Sequence, residues 1–248
     1  CCNLAYCFKY LSHTKYSFGK CPSLILLAII IFTASMYFGG PVLEQGSRDI
    51  LVLAGEQDEQ QGGSVDMAYM VHLENGSLAN FTPIYPGGMA HPSQPSRVGS
   101  GNMLMHDCLW DGPDQGAVYA QEIVEYNTGM HSDAVLIIYA DAADAVIDTI
   151  RPIKIDGEVT NLSAVDIIRS NDAYFGYGSR AGVTGTMDRN GAVMVLVKAV
   201  SKAMKDPDKR QKMMQEAMNQ YNQGNIIMKP EGSFMRLLST KGLENVGN

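Results

Sequence analysis

The stretch DILVLA, from Asp49 to Ala54, is a continuous apolar run of strand length that ends at Gly55. Its length and its aliphatic residues are typical of a strand that is buried on both faces. A second run of the same kind, AVLIIY, extends from Ala134 to Tyr139. These two segments predict the centre of a buried sheet.

A hairpin is predicted directly after the first strand. The runs from Val65 to Leu73 and from Leu78 to Ile84 are separated by Glu74-Asn75-Gly76-Ser77. Asn-Gly between two apolar runs is the strongest short-range signal for a two-residue hairpin turn. We therefore expect these two strands to pair antiparallel.

Helical patterns follow further along the chain. Residues 86–114 show no sustained period and predict a long connection without regular structure. Helices are predicted from Gln115 to Thr128, from Asp141 to Ile150 with Asp141 and Asp144 as a capping box, from Ser163 onward, from Asn190 to Lys205, and from Asp206-Pro207 to Tyr221. Because helices alternate with apolar strands, the sequence predicts an α/β fold with a mixed, largely parallel sheet that is flanked by helices on both faces.

An apolar segment without charged residues extends from Cys21 to Leu43. As a helix it would reach about 34 Å, which is enough to cross a hydrocarbon layer of roughly 30 Å. The charged residues before it are Lys9, Lys15 and Lys20, and an excess of positive charge marks the cytoplasmic side of a membrane helix. The sequence therefore predicts a cytoplasmic tail at 1–21, one N-terminal transmembrane helix with its exit at 22–43, and an extracytoplasmic α/β domain at 44–248.

This topology is that of a single-pass protein of the cell membrane, with a cytoplasmic N-terminus and the main domain outside the cell. A cleaved signal peptide has the same layout, and Thr33-Ala34-Ser35 would suit its cleavage site, so this alternative stays open. Three sequons, at Asn75, Asn80 and Asn161, fall on the side predicted to be outside. They are candidate glycosylation sites.

The charge balance argues against nucleic acid as a partner. The chain has 19 lysines and arginines against 26 acidic residues, a net charge of −7, whereas nucleic-acid surfaces need clustered positive charge. Cys108 is the only cysteine beyond the apolar segment. No disulfide is therefore expected within the predicted extracytoplasmic domain.

A glycine loop places a carboxylate at the start of the second predicted strand. The sequence Gly62-Gly63-Ser64-Val65-Asp66 follows an acidic loop that contains Glu56, Asp58 and Glu59. Carboxylates clustered in this way can hold a divalent cation such as Mg²⁺. The alternative is a solvated loop with a carboxylate at the strand edge.

The 5 histidines are scattered along the chain, and each is interpreted as a surface or loop residue rather than a ligand.

A second candidate site lies at the start of the helix predicted at 190–205. Arg180 and Arg189 flank a glycine-rich loop at this helix N-terminus, where guanidinium groups and free backbone N–H groups favour phosphate oxygens. Asp188 is a candidate metal ligand in the same place, or only the N-cap of the helix. In the alternative interpretation both arginines are solvated.

The sequence resembles a prokaryotic family, domain of unknown function 4012. The segments from Leu109 to Gly129, from Ser132 to Val135 and from Arg151 to Ile155 carry this resemblance, and those from Asp49 to Leu53 and from Gly63 to Ala68 resemble the opening strands of archaeal members. That family is distantly similar to the LytR–CpsA–Psr ligases. These are membrane-anchored proteins that transfer glycopolymers from polyprenyl pyrophosphate to cell-wall glycan.

The resemblance implies roles for four side chains. Asp66 matches the strand-entry aspartate that helps to bind magnesium, while Arg180, Asp188 and Arg189 occupy the place of the region that grips the pyrophosphate. Two other arginines of the ligase pattern are absent. Gly63-Ser64-Val65-Asp66 has a glycine before the serine and an inserted valine, and Thr82-Pro83-Ile84-Tyr85-Pro86 stands where the pattern has Pro-Arg-Asp.

These observations predict a membrane-anchored extracytoplasmic protein of the cell envelope. Its domain would be a non-catalytic or degenerate LytR–CpsA–Psr-like binding or scaffold domain, with a polyprenyl-linked glycan or envelope proteins as partners. The alternative is a metal-assisted transferase that moves a glycan from polyprenyl pyrophosphate to a cell-surface acceptor. An apolar, lipid-sized pocket bordered by Asp66 and Arg180 would favour the transferase, and a filled core would favour the scaffold.

Overall fold

The computed structural model of the chain describes residues 43–84, 86–155, 158–171 and 189–244. The predicted transmembrane segment at 22–43 lies outside these ranges except for Leu43, as does the tail before it. Within the described ranges, none of the helices is both long and apolar enough to cross a membrane.

The described elements are nine strands and six α-helices. In chain order the strands are β1 (Ser47–Gly55), β2 (Met67–Glu74), β3 (Ser77–Ile84), β4 (Ala90–Pro95), β5 (Asn102–Leu104), β6 (Ala134–Tyr139), β7 (Ile153–Ile155), β8 (Glu158–Thr160) and β9 (Ile226–Lys229). The helices are α1 (Pro113–Thr128), α2 (Ala140–Asp148), α3 (Ala164–Asn171), α4 (Arg189–Ala203), α5 (Pro207–Gln223) and α6 (Ser233–Glu244).

A five-stranded sheet in the order β3-β2-β1-β6-β9 forms the centre of the domain. The mixed α/β architecture is confirmed, but the prediction of a largely parallel sheet is wrong. Strand β1 pairs parallel with β6, whereas β1 with β2, β2 with β3, and β6 with β9 are antiparallel. The short connections after β1 and β2 force antiparallel neighbours, and β9 returns beside β6 in the opposite direction.

Apolar side chains of the two central strands pack on both faces of the sheet, as their apolar runs predict. Leu51, Leu53 and Ile137 pack on one face in a cluster with residues of α1. Ile50 and Ala134 pack on the opposite face in a cluster with residues of β9 and α6. Full burial of each large aliphatic side chain contributes about 1.5–3 kcal/mol, so these strands hold both layers of the domain together.

The predicted hairpin between β2 and β3 is confirmed. Asn75 and Gly76 both have positive φ angles, of 51° and 71°, which is the backbone geometry of a type I′ turn. The Asn75 side-chain oxygen also accepts a hydrogen bond from the backbone N–H of Gly46 at 3.0 Å. The turn is thereby tied to the residue that precedes β1.

The connection at 86–114 is more regular than predicted. It contains the antiparallel ribbon of β4 and β5, followed by a 3₁₀ helix at Met105–Asp107. Prolines within β4 obscure the alternating pattern, which is why the sequence period does not show this ribbon.

His91 in β4 is 4% exposed and contacts Glu122 through Nε2 at 2.6 Å, so the interpretation of this histidine as a surface or loop residue is wrong.

The predicted capping box of the second helix is also wrong. The N-cap of α2 is Tyr139, without a side-chain cap. The carboxylate of Asp144 instead accepts a hydrogen bond from the backbone N–H of Ala164, which links α2 to the start of α3. The Asp206 cap of α5 is confirmed, because its side chain accepts from the N–H groups of Asp208 and Lys209.

His72 in β2 links two neighbouring acidic residues. Its Nδ1 lies 2.7 Å from Asp49 Oδ1, and its Nε2 lies 3.0 Å from Glu74 Oε1. The hydrogen bond to Asp49, followed by that to Glu74, raises the pKa of His72 above its ordinary value. A raised pKa in the folded state stabilises the domain below the unfolded pKa of about 6.5, and this contribution is lost as the pH rises through the folded pKa.

We therefore expect the melting temperature of the protein to fall as the pH is raised from about 6 to about 9. The variant His72→Gln should lose this part of the pH dependence when thermal unfolding is followed by circular dichroism. His131→Gln is the matched control, because the His131 side chain is 76% exposed and its contact with Glu125 is 3.6 Å long. An unchanged pH profile in His72→Gln would contradict the assignment.

Candidate functional site

An apolar cavity of about 310 Å³ opens between the sheet and the helices α2, α3 and α4. The sheet contributes Val52 and Ile138 to its lining, and the helices contribute Ile168, Leu196 and Val197. This face of β1 is covered by packed side chains at Ile50, near the start of the strand, but borders the cavity at Ala54, near its end. The cavity is of the size and character of a site for an apolar ligand.

One wall of the cavity is aromatic. Tyr69 of β2 and Phe81 of β3 both line it, and their rings stack with centroids 4.7 Å apart. Stacked aromatic rings present a large apolar surface. This wall suits the flank of a flexible hydrocarbon chain.

The charged residues in the described part of the cavity lining are acidic. Among the described residues that line it, Glu56 and Asp66 are the charged ones, and no lysine or arginine lies with them. Asp66 lies directly before β2, and its backbone N–H donates to the Ala54 carbonyl at 2.9 Å. The predicted position of this carboxylate at the entry to the strand is confirmed, and it borders the apolar cavity.

Asp66 also belongs to a cluster of metal-ligating side chains. One ligand atom from each of Glu59, Asp66 and His106 lies within 4.8 Å of the others. The His106 Nε2 and Glu59 Oε2 atoms are 3.6 Å apart. The three residues come from the acidic loop, the entry to β2 and the 3₁₀ helix, so three separate segments converge here.

Close backbone packing brings the segments of this cluster together. A side chain at Gly62, which has a φ of +78°, would place its Cβ 2.0 Å from the Leu109 carbonyl oxygen. The backbone N–H of Val65 donates to the His106 carbonyl at 3.0 Å, and the Gln60 side chain donates to the same carbonyl at 3.3 Å. The acidic loop is therefore held directly against the 3₁₀ helix.

Two further side chains orient the cluster. His106 Nδ1 lies 2.7 Å from the Oδ1 of Asp107, which is 5% exposed. The fully buried Ser64 hydroxyl donates a hydrogen bond to Glu59 Oε2. Both partners limit the rotation of the ligating groups.

The electrostatics of the cluster act on the pKa of His106. Partial burial by itself lowers this pKa, but the hydrogen bond to Asp107 and the negative charges of Asp107, Glu59 and Asp66 outweigh it. The net effect raises the pKa of His106 above its ordinary value. The imidazole therefore lies in a field that favours positive charge at this position.

The sequence did not connect His106 with Asp66, although it placed Asp66 and Glu59 in the same acidic region. The interpretation of His106 as a surface or loop residue overlooked its contact with the carboxylates. A local signal was present in the His106-Asp107 pair, since a carboxylate beside a histidine is a common support for a metal ligand. Because His106 and Asp66 are far apart along the chain, the sequence did not show that the two side chains lie close together.

The other predicted site residues are not tested. Arg180 and Asp188 lie outside the described residues. Arg189 begins α4, one turn before the cavity-lining Val193, but its side chain also lies outside what the structure describes. The glycosylation candidates Asn75, Asn80 and Asn161 are exposed.

Known proteins resemble the chain in fold. The "Crystal Structure of protein gbs0355 from Streptococcus agalactiae" matches with a TM-score of 0.51 and 12% identity, over 83% of this chain and 76% of that one. TagV of B. subtilis matches with a TM-score of 0.48 and 16% identity, over 79% of each chain. A LytR-Csp2A-Psr enzyme from Actinomyces oris matches with a TM-score of 0.47 and 15% identity, over 80% and 76%.

None of the curated proteins matches the chain. The family model described as "Protein of unknown function (DUF4012)" matches residues 45–174. This range contains the central strands, the cavity-lining residues of β1 to β3, and all three members of the cluster. The chain belongs to the DUF4012 family.

Proposed function

We propose that the domain binds a lipid-linked glycan of the cell envelope, with the isoprenoid chain in the apolar cavity and the phosphate head beside Asp66. In this proposal the domain is a binding or scaffold domain of LytR–CpsA–Psr type. The observation that carries the proposal is the apolar cavity between the sheet and α2 to α4, which has a carboxylate at its border. Each methylene of a lipid chain buried there contributes about 0.8 kcal/mol.

The negative charge at the cavity determines how a phosphate head can be held. Two like charges about 4 Å apart repel by roughly 4 kcal/mol at an effective dielectric constant near 20. A phosphate beside Glu56 and Asp66 therefore needs positive charge between them. The proposal assigns this charge to Arg180 and Arg189, as the sequence predicts, and to a divalent cation.

The donor groups of the cluster fit a divalent cation. Asp66, with Glu59 and His106, offers two carboxylates and an imidazole at the cavity border, and the sequence adds Asp188 as a candidate ligand. A bound cation would neutralise phosphate oxygens. The protein side chains would position the head group, and the aromatic wall would exclude water from the chain.

The location is part of the same proposal. Residues 22–43 anchor the domain in the cell membrane, and the domain lies outside the cell, where Asn75, Asn80 and Asn161 are accessible for glycosylation. An anchored domain meets lipid-linked glycans in the membrane to which it is attached. The acidic surface of the chain, with its net charge of −7, agrees with a partner other than nucleic acid.

A second candidate function is a metal-assisted transferase that moves a glycan from polyprenyl pyrophosphate to a cell-surface acceptor. The juxtaposition of the cavity with the cluster favours it, because cation, carboxylate and imidazole would all lie beside the phosphate. Such groups can position a phosphate and accept a proton from an attacking hydroxyl. The two candidates differ in whether the bound lipid is consumed.

Filling the cavity should weaken lipid binding. Ala143 of α2 lines the cavity, and Ala143→Phe places a ring where the lipid chain would lie. We expect farnesyl phosphate to bind at least about tenfold more weakly to this variant in calorimetric titrations, which is about 1.4 kcal/mol. Ala79→Phe is the control, since Ala79 is exposed on β3. Equal affinities of the two variants would contradict the proposed cavity site.

Turnover separates the two candidate functions. The full chain is incubated with a polyprenyl-pyrophosphate-linked glycan and a glycan acceptor, and polyprenyl phosphate is measured, because it is the leaving group when the glycan is transferred together with its attached phosphate. A binding domain should release no more than Asp66→Asn does. Release that depends on Asp66 would instead establish the transferase and contradict the scaffold.

Labelling of intact cells tests the location. Leu78 is 58% exposed, and Leu78→Cys should react with a membrane-impermeant maleimide if the domain lies outside. Burial raises the pKa of the Cys108 thiol to about 12, so the parent protein should give little background from this domain. Labelling that occurs only after lysis would contradict an extracytoplasmic domain.

A further inference from the structure

We infer that Glu59, Asp66 and His106 form a site for a divalent first-row transition-metal ion, rather than for Mg²⁺. The inference deepens the proposed function, which places a divalent cation at the same three residues, by naming the class of the ion; the site itself can hold its ion whether or not a lipid occupies the cavity. It also differs from the magnesium site that the sequence resemblance implies. The difference lies in the imidazole of His106.

The spacing of the donor atoms suits a single ion. Metal–ligand bonds of about 2.1 Å place neighbouring ligand atoms about 3.0–3.4 Å apart. The His106 Nε2 and Glu59 Oε2 atoms are 3.6 Å apart, and Asp66 completes a set whose atoms lie within 4.8 Å of one another. Small side-chain adjustments would close this set around one ion.

The protonation of His106 is directed by a buried neighbour. The Asp107 carboxylate accepts a hydrogen bond, so His106 Nδ1, at 2.7 Å from it, is the donor. The lone pair of the neutral ring then lies on Nε2, which is the atom that faces Glu59. Metal-bound histidines almost always donate their other N–H to a carboxylate, a carbonyl or a water molecule.

The carboxylate of Glu59 is also held in place by a hydrogen bond. Ser64 is fully buried, and its hydroxyl donates to Glu59 Oε2. The loop that carries both residues is held against the 3₁₀ helix by the Val65–His106 backbone bond of 3.0 Å. The cluster is thus more than a group of surface acids, since a buried partner orients two of its three members.

The donor set decides which ion is favoured. Mg²⁺ prefers six oxygen ligands in an octahedron and retains several waters. An imidazole nitrogen suits transition ions such as Zn²⁺ and Fe²⁺, and Mn²⁺, which also occupies oxygen-rich sites, stands between these ions and Mg²⁺. Two carboxylates with one imidazole balance the charge of a divalent ion and supply a nitrogen that Mg²⁺ does not favour.

Mn²⁺ is the probe for the experiment. The N-terminal thiols of Cys1, Cys2, Cys7 and Cys21 prefer softer ions, so Mn²⁺ avoids competition from the tail. The purified full chain in detergent is treated with a chelator, dialysed, and titrated with Mn²⁺ while the free ion is followed by electron paramagnetic resonance. Electron spin-echo modulation then reports whether a nitrogen is bound to the ion.

We expect one Mn²⁺ per chain, with ¹⁴N modulation from an imidazole. A tenfold excess of Mg²⁺ should displace less than half of the bound ion. His106→Gln should abolish the ¹⁴N signal and weaken Mn²⁺ binding at least tenfold, whereas His131→Gln should change neither. Asp107→Asn, which alters a positioning residue, should weaken binding while a ¹⁴N signal persists at saturating Mn²⁺.

The inference is overturned if Mg²⁺ displaces Mn²⁺ at equal concentration, if the ¹⁴N modulation is absent, or if His106→Gln binds as the parent does. Circular dichroism checks that the variants fold. If His106→Gln does not fold, Glu59→Gln replaces it, because the Glu59 side chain is 50% exposed, and unweakened Mn²⁺ binding by Glu59→Gln overturns the inference. Mn²⁺ binding that is intact in Ala143→Phe would show the metal site to be independent of the lipid proposal.

Discussion

The parallel pairing of β1 with β6 is the constraint on which the rest of the described domain depends. Leu51 is paired with Val135 and Leu53 with Ile137, so two apolar runs of the described domain lie side by side. Because side chains alternate between the faces of a strand, other elements must cover both faces of these two strands. Helix α1 and the ribbon of β4 and β5 cover one face, and the remaining helices cover the other.

The cavity and the cluster both follow from the end of this strand pair. Near Ile50 the second face of β1 is filled, but near Ala54 it faces the open space beneath α2, α3 and α4. The chain then leaves β1 at Gly55 and returns through Asp66 into β2. This loop packs on the 3₁₀ helix, and its carboxylates therefore meet His106 beside an apolar space. Charge placed next to such a space is weakly screened, which makes a counter-charge important for any anionic ligand.

Local patterns predicted much of the fold. The central strands, the type I′ turn at Asn75-Gly76 and the Asp206 cap were predicted because each depends on a few adjacent residues. The antiparallel direction of β9 was not predicted, because β9 is short and its pairing with β6 depends on how the helices between them pack. The Asp141–Asp144 capping box failed for a related reason, since Asp144 bonds to α3 instead of its own helix.

For the candidate site, too, the sequence predicted what depends on neighbouring residues and missed what depends on distant ones. Glycines before a strand were enough to place Asp66 at the entry to β2 among other acidic residues, but His106 belongs to a segment in which the sequence predicted no regular structure. The sequence by itself determined the buried strands, the hairpin and the acidic strand-entry loop, because alternation, turn chemistry and local charge are properties of neighbouring residues. Only the tertiary structure decided the direction of β9 beside β6, the apolar cavity and the meeting of His106 with Glu59 and Asp66, because these depend on which distant segments pack together.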